Sequence, residues 1–360
     1  QAERDVVYAV RDFSHYQKTF AIETVSEYFR ILQKKDSVRN SYSNYQNLQG
    51  ARARAEAMVD AQRLPKYQVD QARQKELSSR VKYLAAVESY RAALDTFKQR
   101  LALPLGEDLK LDDAALRVLV QTGLTPLKLN ARNGYLIAVT NRLDLLNRID
   151  QYEDSQRKVR VSADNLQPSL NLVVDASLTE QFYSSFSPEN FSANAGLQLG
   201  LPLDKLTERN AYRTSLISFE KQLRALASEL DELREDIRQG IRQLAQEHEN
   251  YFIQQNALAL AQQRVNVMPL LLDANQADIR DQLEAQADLV SAQNAVTGAM
   301  VNYHVARWNL LKDLGVMRVE TGQFWLGNQP LLGVAAPVIP SAAGQLPNVV
   351  TPGQVFGEQK

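Results

Sequence analysis

The stretch RNAYRTSLISFEKQLRALASELDELREDIRQGIRQL, residues 209–244, places an apolar residue at almost every third or fourth position. Steps that alternate between three and four residues are typical of a coiled-coil seam, and one four–four step shifts the register here. The positions between them carry mixed charge, which indicates a solvated face. The stretch therefore predicts a long helix that packs on another helix along one side. The seam comprises Tyr212, Leu216, Phe219, Leu223, Leu226, Leu230, Leu233, Ile237, Ile241 and Leu244.

This helix opens a helical hairpin in the second half of the chain. The outgoing arm is expected over about 209–267, with the turn at Pro269 and residues 270–275, because proline disrupts a helix interior. The return arm is expected over about 277–314 and ends at Gly315.

The first half of the chain repeats this plan. An arm over about 4–58 contains no proline, and a break at Pro65 precedes a return arm over about 69–101. An arm of about 55 residues is roughly 80 Å long at 1.5 Å per residue, which is rare in compact domains. The return arms end alike, in LALPLG at 101–106 and LLKDLG at 310–315. Their final glycines are 209 residues apart, which indicates a tandem repeat of a large unit.

Two segments between the hairpins change from helical periodicity to strict alternation. Residues 168–179 and 191–201 place apolar side chains on one face and mostly polar side chains on the other. Eleven strand residues tilted by 45° span roughly 25 Å, the height of the apolar band of an outer-membrane barrel. Phe182, Tyr183 and Phe186 in the intervening loop fit an interfacial aromatic girdle. A soluble hairpin is the alternative, but a lone hairpin is marginal in water.

Composition excludes several classes of site. The chain has 41 Lys and Arg against 42 Asp and Glu, so we expect no nucleic-acid partner. Without cysteine it can form neither disulfides nor thiolate metal sites. His15, His248 and His304 lie on separate predicted helices, so we expect no metal, no cofactor and no enzymatic activity.

Several motifs together resemble the TolC-like outer-membrane efflux protein family. The segment NYHVARWNLLKDLG at 302–315 is similar to the end of the family's last long helix, and VDQAR at 69–73 to the start of its first return helix. NRLDL at 141–145, LQPSL at 166–170 and LPL at 201–203 resemble the family's surroundings of a strand hairpin. The resemblance covers about residues 4–320.

The resemblance implies a mainly α fold, with coiled-coil hairpins forming an α-barrel and a transmembrane β-hairpin contributing to a trimeric β-barrel. It implies an outer-membrane channel subunit that does no chemistry, assembles as a homotrimer in outer-membrane lipid, and docks on a periplasmic adaptor and an inner-membrane pump. Most of the chain would lie in the periplasm. The expected regions are a first hairpin at 1–106, an equatorial connector at 107–130, a helix at 131–166, the membrane hairpin at 167–202, a second hairpin at 203–315 and a largely disordered tail at 316–360.

One departure from the family is plain. The family has two strand hairpins in each subunit, whereas this sequence starts in the first long helix and shows one. We expect that the sequence is truncated before Gln1.

Three groups of site residues follow from the resemblance. Asp281 and Glu284 fall where the family has an acidic pair, so we expect a periplasmic aperture there; ordinary acids near a helix N-terminus are the alternative. The two tips are expected to contact the adaptor through Leu64, Pro65, Lys66, Met268, Leu270 and Leu271, unless these turns pack on themselves. The strand residues expected to face lipid are Leu170, Leu172, Val174, Leu178, Leu197, Leu199 and Leu201.

Two other functions remain open from the sequence. A periplasmic adaptor also uses long helical hairpins, but it should carry small β-domains beside a single hairpin. A structural coiled-coil protein of the envelope would leave the alternating segments unexplained.

Overall fold

A computed structural model describes residues 2–107, 109–127, 129–178, 191–200, 204–274 and 276–318. The aromatic loop predicted near the membrane surface lies outside these residues. So do Leu201 and nearly all of the tail that was predicted to be disordered.

Long helices make up most of the described chain. The helices are α1 (Ala2–Asp60), α2 (Lys66–Arg100), α3 (Ala114–Thr122), α4 (Ala131–Asn141), α5 (Leu143–Asp164), α6 (Leu206–Asp273) and α7 (Ile279–Asp313). The strands β1 (Ser169–Leu178) and β2 (Phe191–Gly200) form an antiparallel pair between α5 and α6. Helix α1 pairs with α2, α6 pairs with α7, and α1 also packs on α7, so the two hairpins lie side by side.

The helix boundaries confirm an internal repeat but correct its offset. Adding 213 to the residue numbers at the end of α1 and at both ends of α2 gives the end of α6 and both ends of α7. The turns agree as well: Arg63 N donates to Met58 O and Gln276 N donates to Leu271 O, both at 2.8 Å. The offset of 209 residues, taken from similar letters at the two C-terminal ends, was therefore wrong by one helical turn.

The outgoing arm of the second hairpin is longer than predicted. Helix α6 continues past Pro269 to Asp273, whereas the sequence predicted a turn starting at this proline. A proline in a helix costs about 3 kcal/mol. Continuing the helix buries Leu272 in an apolar cluster shared with α1, α2 and α7, which offsets much of that cost.

The single helix predicted over 131–166 is broken into α4 and α5. Arg142 has an extended backbone, with φ −78° and ψ 112°, and its side chain pairs with Asp144 in the first turn of α5. Gly315 lies against this break, since a Cβ on Gly315 would come within 2.6 Å of the carbonyl carbon of Asn141. The break therefore accommodates the chain as it leaves α7.

The seam predicted on α6 is buried over only part of its length. Leu233, Ile237 and Leu244 are buried, whereas Leu216 and Leu223 are exposed. The N-terminal part of α6 packs mainly on the shorter α5, which covers only one side of α6.

Candidate functional site

The strand hairpin presents one apolar face. In its register Leu170 pairs with Leu199 and Leu172 with Leu197, so four leucines lie together on one side. The other side pairs Asn171 with Gln198 and Asp175 with Asn194, and the hydroxyl oxygens of Ser177 and Ser192 are 2.8 Å apart. The pattern of alternation predicted this division of faces.

The apolar side of the hairpin is exposed in the part of the chain that the structure describes. The side chains of Leu170, Leu172, Val174, Leu197 and Leu199 are all exposed, and Leu197 is 74% exposed. Leu178 pairs with Phe191 at the end of the register, whereas Leu201 is beyond the described strand. A cluster of this kind in water would be costly, so the face needs an apolar environment or a partner.

Both helical turns meet at one end of the hairpins, in a cluster that we call the tip cluster. Its buried residues are Leu48, Ala51, Ala55, Met58, Ala72, Leu272, Ile279 and Leu283, which come from α1, α2, α6 and α7. A salt bridge of 2.5 Å between Arg54 and Asp273 joins the end of α6 to α1. Sequence reasoning placed the two tips separately, and only the fold brings them together.

The predicted adaptor residues differ in exposure. Pro65, Lys66 and Leu270 are exposed, and Leu270 at 68% is the most prominent apolar side chain of the group. Met268 and Leu271 are half-buried. Leu64 is also half-buried and packs on the tip cluster, which is the self-packing that the sequence left open as the alternative.

The acidic pair lies at the start of α7, with Asp281 in the first turn and Glu284 in the second, and the two carboxylates have different environments. Asp281 and Asp278 form a capping box: the Asp278 side chain accepts from the Asp281 backbone N–H, and Asp278 N donates to Asp281 Oδ2 at 3.1 Å. Glu284 is exposed and has no ion-pair partner among the described residues. The pair thus combines a helix-capping carboxylate with a free one.

A polar ladder between α1 and α5 was not found from the sequence. Arg4 Nη1 and Tyr8 Oη both donate to Asp154 at 2.7 Å, and Arg11 Nη1 lies 2.5 Å from Asp150 Oδ2. Burial raises the pKa of Asp154, but hydrogen bonds from Tyr8 and Arg4 outweigh it and leave the pKa below its usual range. The sequence shows charged residues in both segments, but which of them pair depends on how α5 packs beside α1.

The histidines do not form a common site. His304 lies in the buried C-terminal half of α7, between the rings of Tyr303 and Trp308. Burial and the neighbouring Arg307 lower the pKa of His304 to about 4. His248 contacts the rings of Tyr303 and Phe252, and its Nδ1 lies 3.6 Å from a carboxylate oxygen of Glu249. The ring contacts of His304 and His248 fit packing between helices.

None of the described helices has a stretch that is long and apolar enough to cross a membrane.

Comparisons with known proteins agree on one type of molecule. The sequence profile of a family described as outer membrane efflux protein matches residues 136–316, about half of the chain. No curated protein sequence matches the chain significantly.

Solved structures share the fold at low sequence identity. The outer-membrane channel OprN superposes with a TM-score of 0.73 at 16% identity, covering 90% of this chain and 71% of its own. CusC gives a TM-score of 0.72 at 14% identity, covering 87% and 72%. The open state of the MtrE outer membrane channel from Neisseria gonorrhoeae gives 0.70 at 14% identity, covering 88% and 70%.

Proposed function

This chain belongs to the outer membrane efflux protein family, and from that membership we propose that it is one subunit of a passive duct through the periplasm and the outer membrane. Members of the family are trimeric outer-membrane channels that work within tripartite efflux systems. They are channels rather than enzymes. The adaptor and structural-protein alternatives have no comparable support.

The observation that carries this proposal is the combination of two elements in one chain. Four long helices, α1, α2, α6 and α7, form two paired hairpins, and the amphipathic strand pair β1–β2 is inserted between them. The uncovered leucines of β1 and β2 fit the lipid-facing band of a barrel wall, because lipid removes the cost of exposing them to water. The hairpins then lie in the periplasm.

The partners follow from the same arrangement. We assign the end formed by the tip cluster as the surface that meets the periplasmic adaptor, with Pro65, Lys66 and Leu270 as its exposed contacts. An apolar side chain that is as exposed as Leu270 suits insertion into a groove of a partner helix pair. An inner-membrane pump would supply the energy, since members of the family work within tripartite efflux systems.

The acidic pair supports an aperture in which the two residues have separate roles. Three copies of Glu284 would place free carboxylates around one passage and favour cations. Asp281 would act mainly by fixing the start of α7, because its carboxylate is engaged in the capping box.

The membrane assignment is tested by two matched arginine substitutions in the complete protein, reconstituted in planar bilayers. Leu172→Arg puts a charge on the proposed lipid face and should cost about 2–4 kcal/mol near the bilayer centre, so fewer channels insert. Asn171→Arg, its neighbour on the opposite face, should insert normally. Equal insertion of both variants would contradict the lipid-facing assignment, and a wild-type protein that forms no conducting channel would contradict the function.

The aperture is tested by removing each negative charge singly. Glu284→Gln should reduce cation preference in reversal-potential measurements and leave thermal stability unchanged, because its side chain is exposed and unpaired. Asp281→Asn should cost about 1 kcal/mol of stability through the weakened cap. Unchanged selectivity in both variants would remove the aperture assignment while leaving the channel function intact.

A further inference from the structure

A cavity of about 670 Å³ lies between α1, α5 and α6, close to where α5 leads into β1 and α6 follows β2. This volume is typical of a small-molecule site. Its lining comes from Arg4 of α1, from one face of α5 within residues 154–162 and from one face of α6 within residues 211–218. Farther from the strands, the rings of Tyr152 and Phe219 fill the space between α5 and α6, with their centroids 5.4 Å apart. The cavity therefore lies between this ring contact and the strand hairpin.

The charged residues that line the cavity are unbalanced. Its cations are Arg4, Arg157 and Lys158, whereas Asp154 is its one carboxylate. Asp154 Oδ1 accepts from Arg4 Nη1 at 2.7 Å and lies 3.0 Å from Arg157 Nη2, so one carboxylate holds two guanidinium groups side by side. Glu153, just outside the lining, is 3.7–3.8 Å from the same two guanidinium groups. Lys158 is exposed and makes no ion pair among the described residues. Even with Glu153 counted, one positive charge is left over, and the cavity favours an anion.

The lining changes from charged to apolar toward the strands. All its charges from α5 lie within residues 154–158, in the part farther from the strands. The part nearer the strands holds Val161 and Ala211, together with the hydroxyl of Ser162. Val161 is 60% exposed, and Leu206, at the start of α6 between the cavity and β2, is 63% exposed. This order suits an amphiphile whose anionic end lies deep and whose apolar end points toward the hairpin.

The height of the cavity matches the headgroup layer of a membrane that surrounds the hairpin. At 1.5 Å per residue, Val161 lies about 5 Å and Lys158 about 9 Å below the end of α5. The polar layer of a bilayer extends about 5–8 Å beyond its hydrocarbon core on each side. Long cationic side chains keep their stems on apolar surface and place their charge in that layer. Lys158 and Arg157 can therefore reach a phosphate that lies below the lipid-facing leucines.

We propose that this cavity binds the headgroup of an acidic glycerophospholipid of the membrane in which the hairpin lies. Arg157 and Lys158 donate to the phosphate oxygens, a geometry for which a guanidinium fork is well suited. Val161 and Ala211 contact the first methylene groups of the acyl chains. A free phosphate would leave these two apolar contacts unused, which is why we assign a lipid. This inference rests on the proposed membrane function and adds to it a specific lipid site on the helical part.

The site is tested by titrating phosphatidylglycerol into the complete protein in a neutral detergent and counting bound lipids by native mass spectrometry. We expect one lipid per subunit, bound at least tenfold more tightly than phosphatidylcholine, whose headgroup has no net charge. Lys158→Gln should weaken phosphatidylglycerol binding about tenfold, the effect of one charge-assisted hydrogen bond.

Arg160→Gln is the matched control for Lys158→Gln. It removes the same charge from the same turn of α5, but it lies about 200° around the helix from Lys158 and outside the lining. We expect binding to weaken less than about twofold in this variant, because an exposed charge outside the cavity is screened.

Two further measurements separate the cavity from its charge and a lipid from a free anion. Ser218→Phe places a ring in the cavity without changing the charge and should abolish binding at unchanged helicity. If this variant loses helicity, the comparison of Lys158→Gln with Arg160→Gln decides. Excess inorganic phosphate should not displace the lipid, since it makes no contact with Val161 and Ala211. Displacement by inorganic phosphate would identify a site for free anions and overturn the lipid assignment.

The outcomes separate the lipid site from the channel function. Conducting channels that bind phosphatidylglycerol no better than phosphatidylcholine would overturn the site and leave the channel proposal standing. Equal weakening in Lys158→Gln and Arg160→Gln would do the same. A protein that binds the lipid with the expected selectivity but forms no conducting channel would support the site and contradict the proposed function.

Discussion

The two return helices, α2 and α7, share their boundaries across the repeat but differ in how their ends are stabilised. Helix α7 starts with the capping box of Asp278, whereas α2 starts after Pro65, which offers no side-chain cap. At the C-terminal end, the residue in the left-handed region is Gly315 after α7 and Ala102 after α2, with φ of 73° and 53°. Equivalent backbone geometry is therefore obtained with favourable residues in one repeat and less favourable ones in the other.

The surroundings of the two helices also differ, and α7 is again the better stabilised of the two. The C-terminal half of α7 is buried almost continuously from Ala299 to Leu311, whereas α2 is buried mainly at Phe97 and Lys98 in that part. His304 illustrates the contrast, because it is 1% exposed while Arg91 at the equivalent position is exposed and pairs with Glu88. We infer that α7 anchors the subunit and that α2 provides an outer edge.

The largest expected effect concerns the end of α7. Gly315→Ala adds a Cβ within 2.6–2.8 Å of backbone atoms of Asn141 and Arg142 and forces alanine into the left-handed region. Left-handed strain and overpacking together should cost about 4 kcal/mol of unfolding free energy. Gly106→Ala is the matched control, since a Cβ there meets nothing within 4 Å. Similar urea midpoints for both variants would show that the contact of Gly315 with Asn141 and Arg142 does not restrict this position.

The second expected effect is a pH dependence of stability that comes from His304 in α7 and has no counterpart at Arg91, the equivalent position in α2. Since the folded-state pKa of His304 is lowered from 6.5 to about 4, the unfolded chain takes up a proton first as the pH falls. The contribution of the neutral imidazole to the free energy of unfolding is therefore complete above pH 6.5. It decreases by about 3 kcal/mol in all as the pH falls from 6.5 to 4. His304→Phe keeps a ring between Tyr303 and Trp308 but cannot titrate.

Unfolding followed by circular dichroism at several pH values checks this expectation. The difference in stability between wild type and His304→Phe should grow in favour of the variant as the pH falls from 6.5 to 4.5. Parallel stability curves for the two proteins would mean that His304 does not titrate in this environment.

The sequence predicted the elements whose signal is local. The period of the apolar residues identified four long helices, and strict alternation identified β1 and β2 with their apolar side. The resemblance to a known family, which the family match supports, supplied the channel function. The periodicity and the alternation each lie within one segment of chain, and the resemblance is carried by short motifs of the same local kind.

Features that depend on distant segments were predicted less well. The break between α4 and α5 was not predicted, and the backbone that packs against it, at Gly315, lies in a distant part of the chain. Pro269 predicted a turn by its own chemistry, but burial of Leu272 among α1, α2 and α7 extends the helix. Leu64 likewise packs on the tip cluster, which is formed by residues from distant segments.

The smallest expected effect comes from a substitution that makes the end of α2 more like the end of α7. The end of α2 has the hydrogen bonds of a helix-ending motif that favours glycine: Ala102 N donates to Gln99 O at 3.1 Å and Leu103 N to Lys98 O at 2.9 Å. Ala102→Gly removes left-handed strain of about 1–2 kcal/mol from the folded state. The more flexible unfolded chain costs about 0.4–1 kcal/mol of stability, so the free energy of unfolding should rise by about 0.5 kcal/mol. Ala92→Gly, exposed inside α2, should instead lower stability by about 1 kcal/mol. Opposite signs for the two alanine-to-glycine substitutions, one just past the end of α2 and one inside it, would show that backbone conformation, and not glycine content, distinguishes the ends of α2 and α7. A loss of stability in both variants would place the difference between α2 and α7 elsewhere.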